Sequence, residues 1–318
     1  MGLVTLAFVL GCVACIPFLL ELLFQKEFVV HEKGAIVITG ASSGIGLDAA
    51  LALDSSGYTV FPGVRKDSDT QALKIMSSTL RPIIMDVADA TSCMKAAGEV
   101  GEFLKSSNLP FVGLVNNAGI SRRIPVELES IDAVSRMMDV NVVGIYRATI
   151  PFLEMIRKHK GRIVSTGSVA GLIATAGSAT YSASKFAVEG ITDSLRHEMA
   201  PFGVSVSIVE PAYVKTKIAS KQVGENAPIN HSPATEGAKE LYNAFLSKQD
   251  EKRIKADNLA SDTSVTSEAI VHALTSPTPK TRYIVANYFG LPAFVLGWVH
   301  WALNDRAEDA LITFVSSK

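Results

Sequence analysis

Five consecutive apolar or β-branched residues, 35–39 (Ala-Ile-Val-Ile-Thr), run without interruption into a turn carrying Gly40, Gly44 and Gly46, and then into a helical pattern. A continuous run of this kind suits a strand buried on both faces, the usual condition in a parallel sheet. The pattern recurs along the chain. Strands are expected at 35–39, 59–64, 82–85, 111–115, 162–165, 205–209 and 283–285, with helices at 47–56, 91–104, 131–158 (as one or two) and 181–200. Strands alternating with helices of about 10–20 residues predict a doubly wound parallel α/β sheet, here one domain over residues 34–290. Segment 215–266 breaks the rhythm. It is rich in Ser, Asn, Lys and Asp, with Pro228 and Pro233 inside it, and reads either as a polar surface insertion or as a lid over a substrate.

The turn reads Gly40-Ala41-Ser42-Ser43-Gly44-Ile45-Gly46. Between a strand and a helix, glycines let backbone N–H groups approach a pyrophosphate, and the helix N-terminus adds a favourable dipole. Gly40, Ser42, Ser43, Gly44, Ile45 and Gly46 are therefore candidate dinucleotide contacts, with a plain turn as the alternative. The second strand ends in Gly63-Val64-Arg65-Lys66-Asp67. An acidic residue there hydrogen-bonds a ribose 2′-hydroxyl, whereas arginine accommodates a 2′-phosphate. Arg65 and Lys66 point to NADP(H), while Asp67 keeps NAD(H) open.

Tyr181 and Lys185 lie four apart in a helical stretch and so share a face. A phenol can exchange a proton with a substrate oxygen, and a cation beside a phenol favours phenolate, which suits acid–base work near neutral pH. Ser168 follows the fifth strand at the carboxyl end of the sheet, where such folds bind ligands. Its hydroxyl can donate to the same oxygen. Singly, each has a bland reading: Tyr181 in the core, Lys185 solvated, Ser168 a helix cap, Asn141 a buried polar residue bonded to backbone. The histidines, His159 and His197 among them, show no metal-ligand spacing, so no metal is expected.

Taken together, Thr39-Gly40-Ala41-Ser42-Ser43-Gly44-Ile45-Gly46, Asn116-Asn117-Ala118-Gly119, and Tyr181-x-x-x-Lys185 thirteen residues after Ser168 resemble the motifs of the short-chain dehydrogenase/reductase family, in order and spacing, over residues 34–216. Glu210-Pro211-Ala212-Tyr213, Ser194-Leu195-Arg196 and the apolar N-terminus are most similar to its membrane-anchored retinol and hydroxysteroid dehydrogenase branch. The resemblance implies a Rossmann-type fold and a homo-oligomer joined through 131–158 and 181–200. It implies a catalytic tetrad of Asn141, Ser168, Tyr181 and Lys185, in which Asn141 helps position the lysine through water and Lys185 also binds the nicotinamide ribose. Asp86, with Val87 beside it, would accept from the adenine amine. Asn116 would sit near the adenosine ribose and brace the sheet, followed by Ala118 and Gly119. Pro211, Val214 and Thr216 would line the nicotinamide end, with Thr216 at the carboxamide, and Tyr213 would join Ser168 and Tyr181 at the substrate. One departure is visible: Pro211-Ala212 stands where the family has Pro-Gly. Alanine does not adopt a positive φ cheaply, so the loop carrying Thr216 is expected to be positioned differently.

Residues 1–20 contain no charged side chain. A run of about 20 apolar residues can cross a bilayer core as a helix. An uncleaved anchor over 1–25 is expected rather than a cleaved signal, since no Lys or Arg precedes the run and no small-x-small site follows it. Cys12 and Cys15 lie within it and only Cys93 beyond, which excludes the disulfide-rich secreted class. Lys26 and Lys33 favour a cytosolic catalytic domain, and the branch resembled implies the endoplasmic reticulum membrane. With 30 basic against 31 acidic residues, nothing suggests a nucleic-acid partner. An anchored site suits a lipophilic alcohol or ketone of steroid or retinoid type. An NAD-dependent small hydroxy-acid dehydrogenase and a non-catalytic nucleotide-binding membrane protein are the alternatives. Segment 291–303, in the C-terminal tail 291–318, is too short to span a bilayer. Its Trp298 and Trp301 suit a membrane interface, or packing on the core or on another subunit.

Overall fold

In chain order the strands are β1 (Ala35–Thr39), β2 (Thr59–Val64), β3 (Ile83–Ile84), β4 (Phe111–Asn116), β5 (Arg162–Thr166), β6 (Ser205–Pro211) and β7 (Arg282–Val285). They form one sheet in the order β3-β2-β1-β4-β5-β6-β7, with every pair parallel. The computed structural model describes residues 24–216, 236–288, 290–307 and 310. The helices are α1 (Gly44–Ser55), α2 (Asp67–Met76), α3 (Ala90–Ser107), α4 (Ile131–Met138), α5 (Gly144–Thr149), α6 (Leu153–His159), α7 (Ala179–Met199), α8 (Glu236–Asn258), α9 (Ser264–Thr275) and α10 (Phe294–Ala302).

Both faces of the sheet are apolar because successive strand residues point to opposite sides and helices cover each side. Ala35 and Val37 of β1 join Phe61, Phe111 and Phe152 on one face. Ile36 and Ile38 join Val60, Val115, Ile270 and Leu274 on the other. This is the Rossmann-type order, and it delivers the loops after β1, β4, β5 and β6 to one edge.

In three regions the structure departs from, or adds detail to, the sequence expectations. Stretch 131–158 is neither one helix nor two. It is α4, a π turn at Asp139–Val143, α5, a 3-10 turn at Ile150–Phe152 and α6. Pro151 lies in that last turn, where its missing N–H breaks α-helical bonding. Segment 215–266 is not all irregular: α8 fills 236–258 and α9 begins at Ser264. Ala238, Tyr242 and Leu246 of α8 pack on Ile124 and Leu128. In 291–303, α10 follows a small hairpin of β8 (Asn287–Tyr288) and β9 (Leu291–Pro292). Gly297 lies close against Ile284 of β7, while Leu291 and Phe294 are exposed.

The anchor expected over 1–25 falls outside the described residues except for Phe24 and Gln25. Among the described residues no helix is long and apolar enough to cross a membrane. Residues after Gln25 are stitched to the amino edge of the sheet. Phe28 N donates to Pro277 O at 2.9 Å, and Tyr58 Oη donates to His31 O at 2.8 Å. The buried Arg162 guanidinium donates to Val29 O and Ala273 O, each at 2.9 Å.

Candidate active site

β1 ends at the glycine turn. Gly40 has φ +66°, and a Cβ there would lie 2.7 Å from Ala118 Cα. Gly44 has φ +61° and opens α1, where a Cβ would stand 3.3 Å from Thr216 Cβ. Gly46 packs on Asn117, with no room for a Cβ beside Nδ2. Ser42, Ser43 and Ile45 are half-buried along this turn. Ser43, the N-cap residue of α1, makes no side-chain cap bond to the helix. A helix N-terminus approached only by glycines and small residues is a cradle for a phosphate, and the residues present fit a dinucleotide.

The turn is braced from β4. Thr39 Oγ1 accepts from Asn117 N and Ala118 N, each at 3.0 Å, and donates to Val115 O at 3.3 Å. Asn117 Nδ2 donates to Thr39 O and Gly40 O at 3.0 and 3.3 Å. The glycine turn itself is braced by Asn117. Asn116 points away and donates to Thr149 Oγ1 at 2.9 Å. Gly119 lies against Asn141.

At the end of β2, Arg65 and Lys66 are exposed beside the turn, to which Gly63 O is joined by Ala41 N at 3.0 Å. Asp67 and Asp69 occupy the first turn of α2, where a negative charge complements the helix dipole. That gives Asp67 a structural reason to be acidic. Asp86 Oδ1 accepts from Ala88 N at 3.0 Å. Val87 is buried under Gly144 of α5, and its carbonyl accepts from Arg147 at 3.3 Å.

Ser168, Tyr181, Lys185 and Asn141 are all buried. Lys185 Nζ donates to Thr166 O at 2.8 Å and lies 5.8 Å from the Tyr181 ring centroid. Ser168 caps the one-turn helix Val169–Gly171, accepting from Ala170 N at 3.2 Å and donating to Pro211 O at 3.4 Å. Ala170 and Tyr181 share one apolar cluster, with Ile120 packed against it. Asn141, in the π turn, does not reach Lys185 through its side chain. Its Nδ2 donates to Ile120 O and Ser184 Oγ at 2.9 and 3.0 Å, and its Oδ1 accepts from Ile120 N at 2.9 Å. Ser184 Oγ then donates to Tyr181 O at 2.7 Å. Asn141 therefore ties the loop after β4 to the tyrosine helix. Ser184, Thr166 and Asn117 are the positioning partners that sequence reasoning passes over. Thr166 and Ser184 carry no motif signal, whereas Asn117 stands inside one.

Beyond β6 the chain is held on both sides. Tyr213 N donates to Asn287 O at 3.3 Å, Ser261 N donates to Tyr213 O at 3.0 Å, and Val214 bridges Ser261. Ala212 does not take the positive φ that a glycine would allow, and its N donates to Val285 O at 3.0 Å. Thr216 stands beside Gly44. The Tyr213 ring stacks on Tyr288 at 5.3 Å, with the Arg123 guanidinium 5.9 Å from its centroid. Burial, with Tyr213 adjacent, pushes the Tyr288 phenol up to about 12. Burial also raises the carboxyl of Glu129, partly offset by Arg122, and Thr180 Oγ1 donates to it at 3.4 Å. Among the described residues no cluster of His, Cys, Asp or Glu could hold a metal ion.

Residues 34–227 match the family described as short chain dehydrogenase. The mitochondrial D-beta-hydroxybutyrate dehydrogenase of Bos taurus is 34% identical over 284 residues, covering 86% of this chain and 83% of that protein. Retinol dehydrogenase 5 of Homo sapiens is 33% identical over 310 residues, covering 94% of each. A Burkholderia cenocepacia short chain dehydrogenase crystallised with NADP superposes with a TM-score of 0.66 at 22% identity, covering 88% of this chain and 98% of that one.

Proposed function

The chain belongs to the short-chain dehydrogenase family and is an NAD(P)-dependent oxidoreductase; on that premise we propose that it interconverts a lipophilic alcohol and its ketone or aldehyde, with Tyr181 as general acid–base and NADP(H) as the preferred cofactor. The observation that carries this reading is the burial of Ser168, Tyr181 and Lys185 together at the carboxyl edge, with Lys185 Nζ fixed on Thr166 O. When bound, the nicotinamide dinucleotide supplies or accepts the hydride. Gly40, Ser42, Ser43, Gly44, Ile45 and Gly46 would hold its phosphates, Asp86 and Val87 its adenine end, and Asn116, Ala118 and Gly119 the adenosine side. Pro211, Val214 and Thr216 would flank the nicotinamide.

Within the site, Tyr181 Oη gives a proton to the carbonyl oxygen in reduction and removes it from the hydroxyl in oxidation. Ser168 Oγ donates to the same oxygen and orients it. Lys185, held by a backbone carbonyl in a buried setting, stands beside the phenol and reaches the cofactor ribose. Asn141 acts as a positioning residue through Ser184. Arg65 and Lys66 favour a 2′-phosphate. Tyr213 faces the substrate, and α8, packed over Ile124 and Leu128, forms its lid. Exposed Val143, Tyr146, Ile150 and Phe186, on the stretches expected to join subunits, support a homo-oligomer.

The retinol dehydrogenase likeness extends over nearly the whole of both chains and supports the lipophilic class. The hydroxybutyrate dehydrogenase likeness supports the small hydroxy-acid alternative. Oxidation of NADPH and NADH by detergent-solubilised full-length protein, against retinoid, steroid and small keto-acid substrates, separates them. Turnover of a lipophilic carbonyl with NADPH is expected, and Tyr181→Phe should lower kcat by about 10²-fold or more, the usual share of acid–base catalysis. Preference for a keto acid with NADH would put the hydroxy-acid reading first. Tight cofactor binding without turnover would favour a non-catalytic role.

A further inference from the structure

Glu210, on β6, is fully buried, and the Glu189 side chain is only 12% exposed, one helical turn past Lys185 on α7. Both carboxylates accept from one nitrogen, Nη1 of Arg282 on β7, which stands 2.9 Å from Glu210 Oε1. The other nitrogen, Nη2, serves Asp193 at 3.2 Å, and Arg196 reaches Asp193 at 2.9 Å. Each glutamate keeps one buried oxygen that no donor among the described groups meets. The two carboxyls converge on that one nitrogen, so a proton on one of them would relieve their mutual repulsion. Two buried carboxylates in contact cannot both ionise readily, and a single guanidinium does not neutralise two charges.

The pair lies directly beneath the serine. A Cβ added at Gly167 would sit 3.1 Å from Glu189 Oε1, and one at Gly171 would sit 3.0 Å from it. These two glycines bracket Ser168. Ser168 Oγ contacts Pro211 O, the residue next to Glu210, and Gly167 N donates to Val209 O at 2.8 Å.

We propose that Glu189 and Glu210, sharing one proton and the Arg282 guanidinium, form a positioning unit that holds the Ser168 loop at the end of β5. The proposal rests on the part given to Ser168 in the reaction above. With the shared proton in place the pair is a compact, singly charged partner for Arg282. When the proton leaves, like charges repel. Glu210 is fixed in a buried strand, so Glu189 moves against Gly167 and Gly171 and loosens the loop. Burial and the neighbouring Glu189 push the Glu210 carboxyl up to about 8, which places this event just above neutrality. The other charged groups around the pair are Lys185, Asp193 and Arg196 of α7 and Arg282 of β7. The loop itself contributes only glycines, Ser168, Val169 and Ala170.

Hydrogen exchange of full-length protein, followed for amides 167–172 from pH 6.5 to 9 and corrected for the intrinsic rate, tests this without turnover. Wild-type protection should fall at least tenfold across that range, while β1 amides stay protected. In Glu210→Gln and in Glu189→Gln the fall should vanish, because either change removes the repulsion. Asp193→Asn, at the outer edge, should retain it. The same alkaline break should appear in kcat and not in KM for the cofactor. Flat wild-type protection overturns the proposal, as does a fall that persists in both glutamine variants. Should one variant fail to fold, the wild-type series and the other variant decide. An active Tyr181→Phe protein would sink the catalytic reading while leaving the exchange result to stand or fall by itself.

Discussion

At Gly40 two constraints meet, a left-handed backbone and the Ala118 backbone 2.7 Å from where a Cβ would be. The conformation alone costs a non-glycine residue about 1–2 kcal/mol, and the contact adds to that. Gly40→Ala should therefore lower Tm and weaken NADPH binding in a fluorescence titration. Wild-type affinity in that variant would remove the turn from the cofactor site. Arg65 is a second residue whose effect is local. Charge-assisted hydrogen bonds contribute about 1.5–3 kcal/mol, so Arg65→Asp should swing the NADPH/NADH ratio of kcat/KM towards NADH by about tenfold to a hundredfold. An unchanged ratio would mean that Arg65 is a solvated surface cation. Residue identity was legible here where a motif fixed the spacing, but side-chain direction was not. Asn116 and Asn117 are neighbours, yet one points to Thr149 and the other to the glycine turn. Only the backbone path at the end of β4 decides which.

The helical stretch from α4 to α6 shows how an element can carry function through an irregularity. The π turn presents Asn141 to the backbone of Ile120 and to Ser184 at once. Asn141→Ala leaves the Ile120 N–H and C=O without that partner, at about 1–3 kcal/mol for each unsatisfied buried group. Thermal unfolding should show a Tm several degrees lower, and kcat should fall while the KM for cofactor changes little. Sequence periodicity locates a helix over this stretch and does not see the π turn, because that turn is defined by i→i+5 backbone hydrogen bonds over only five residues, too few to set a period of their own. The opposite failure occurs at α8. Ala238, Tyr242, Phe245, Leu246 and Gln249 recur at helical spacing on its buried side. Their signal is diluted by Lys, Asn and Asp on the outer face and by Pro228 and Pro233, which precede the helix. The central strands β1 and β4 were readable because each is a largely apolar run buried along its whole length.

For the molecule as a whole, the Glu210 carboxyl makes stability depend on pH in a defined direction. Its ordinary value is 4.5 and burial raises it to about 8. The folded state thus holds a proton that the unfolded chain releases, and stability is lost as pH rises from about 4.5 through about 8, by up to about 1.4 kcal/mol per pH unit. His159 and His272 act in the other direction: burial lowers both, so stability falls as pH drops below 6.5. Thermal melts of wild type and Glu210→Gln between pH 5 and 9 isolate the carboxyl, and the difference in Tm should move in the variant's favour as pH rises. A constant difference would show that Glu210 keeps its ordinary acidity. The stitching of Phe28 and Val29 to Pro277 and Arg162 bears on how the protein can be handled. Those contacts lie at the start of strands that run about 3.3 Å per residue, while the serine, tyrosine and lysine stand past their far ends. A tether attached where Phe28 and Val29 enter the fold would therefore grip the molecule by its heel, at the end of the sheet opposite its reactive mouth.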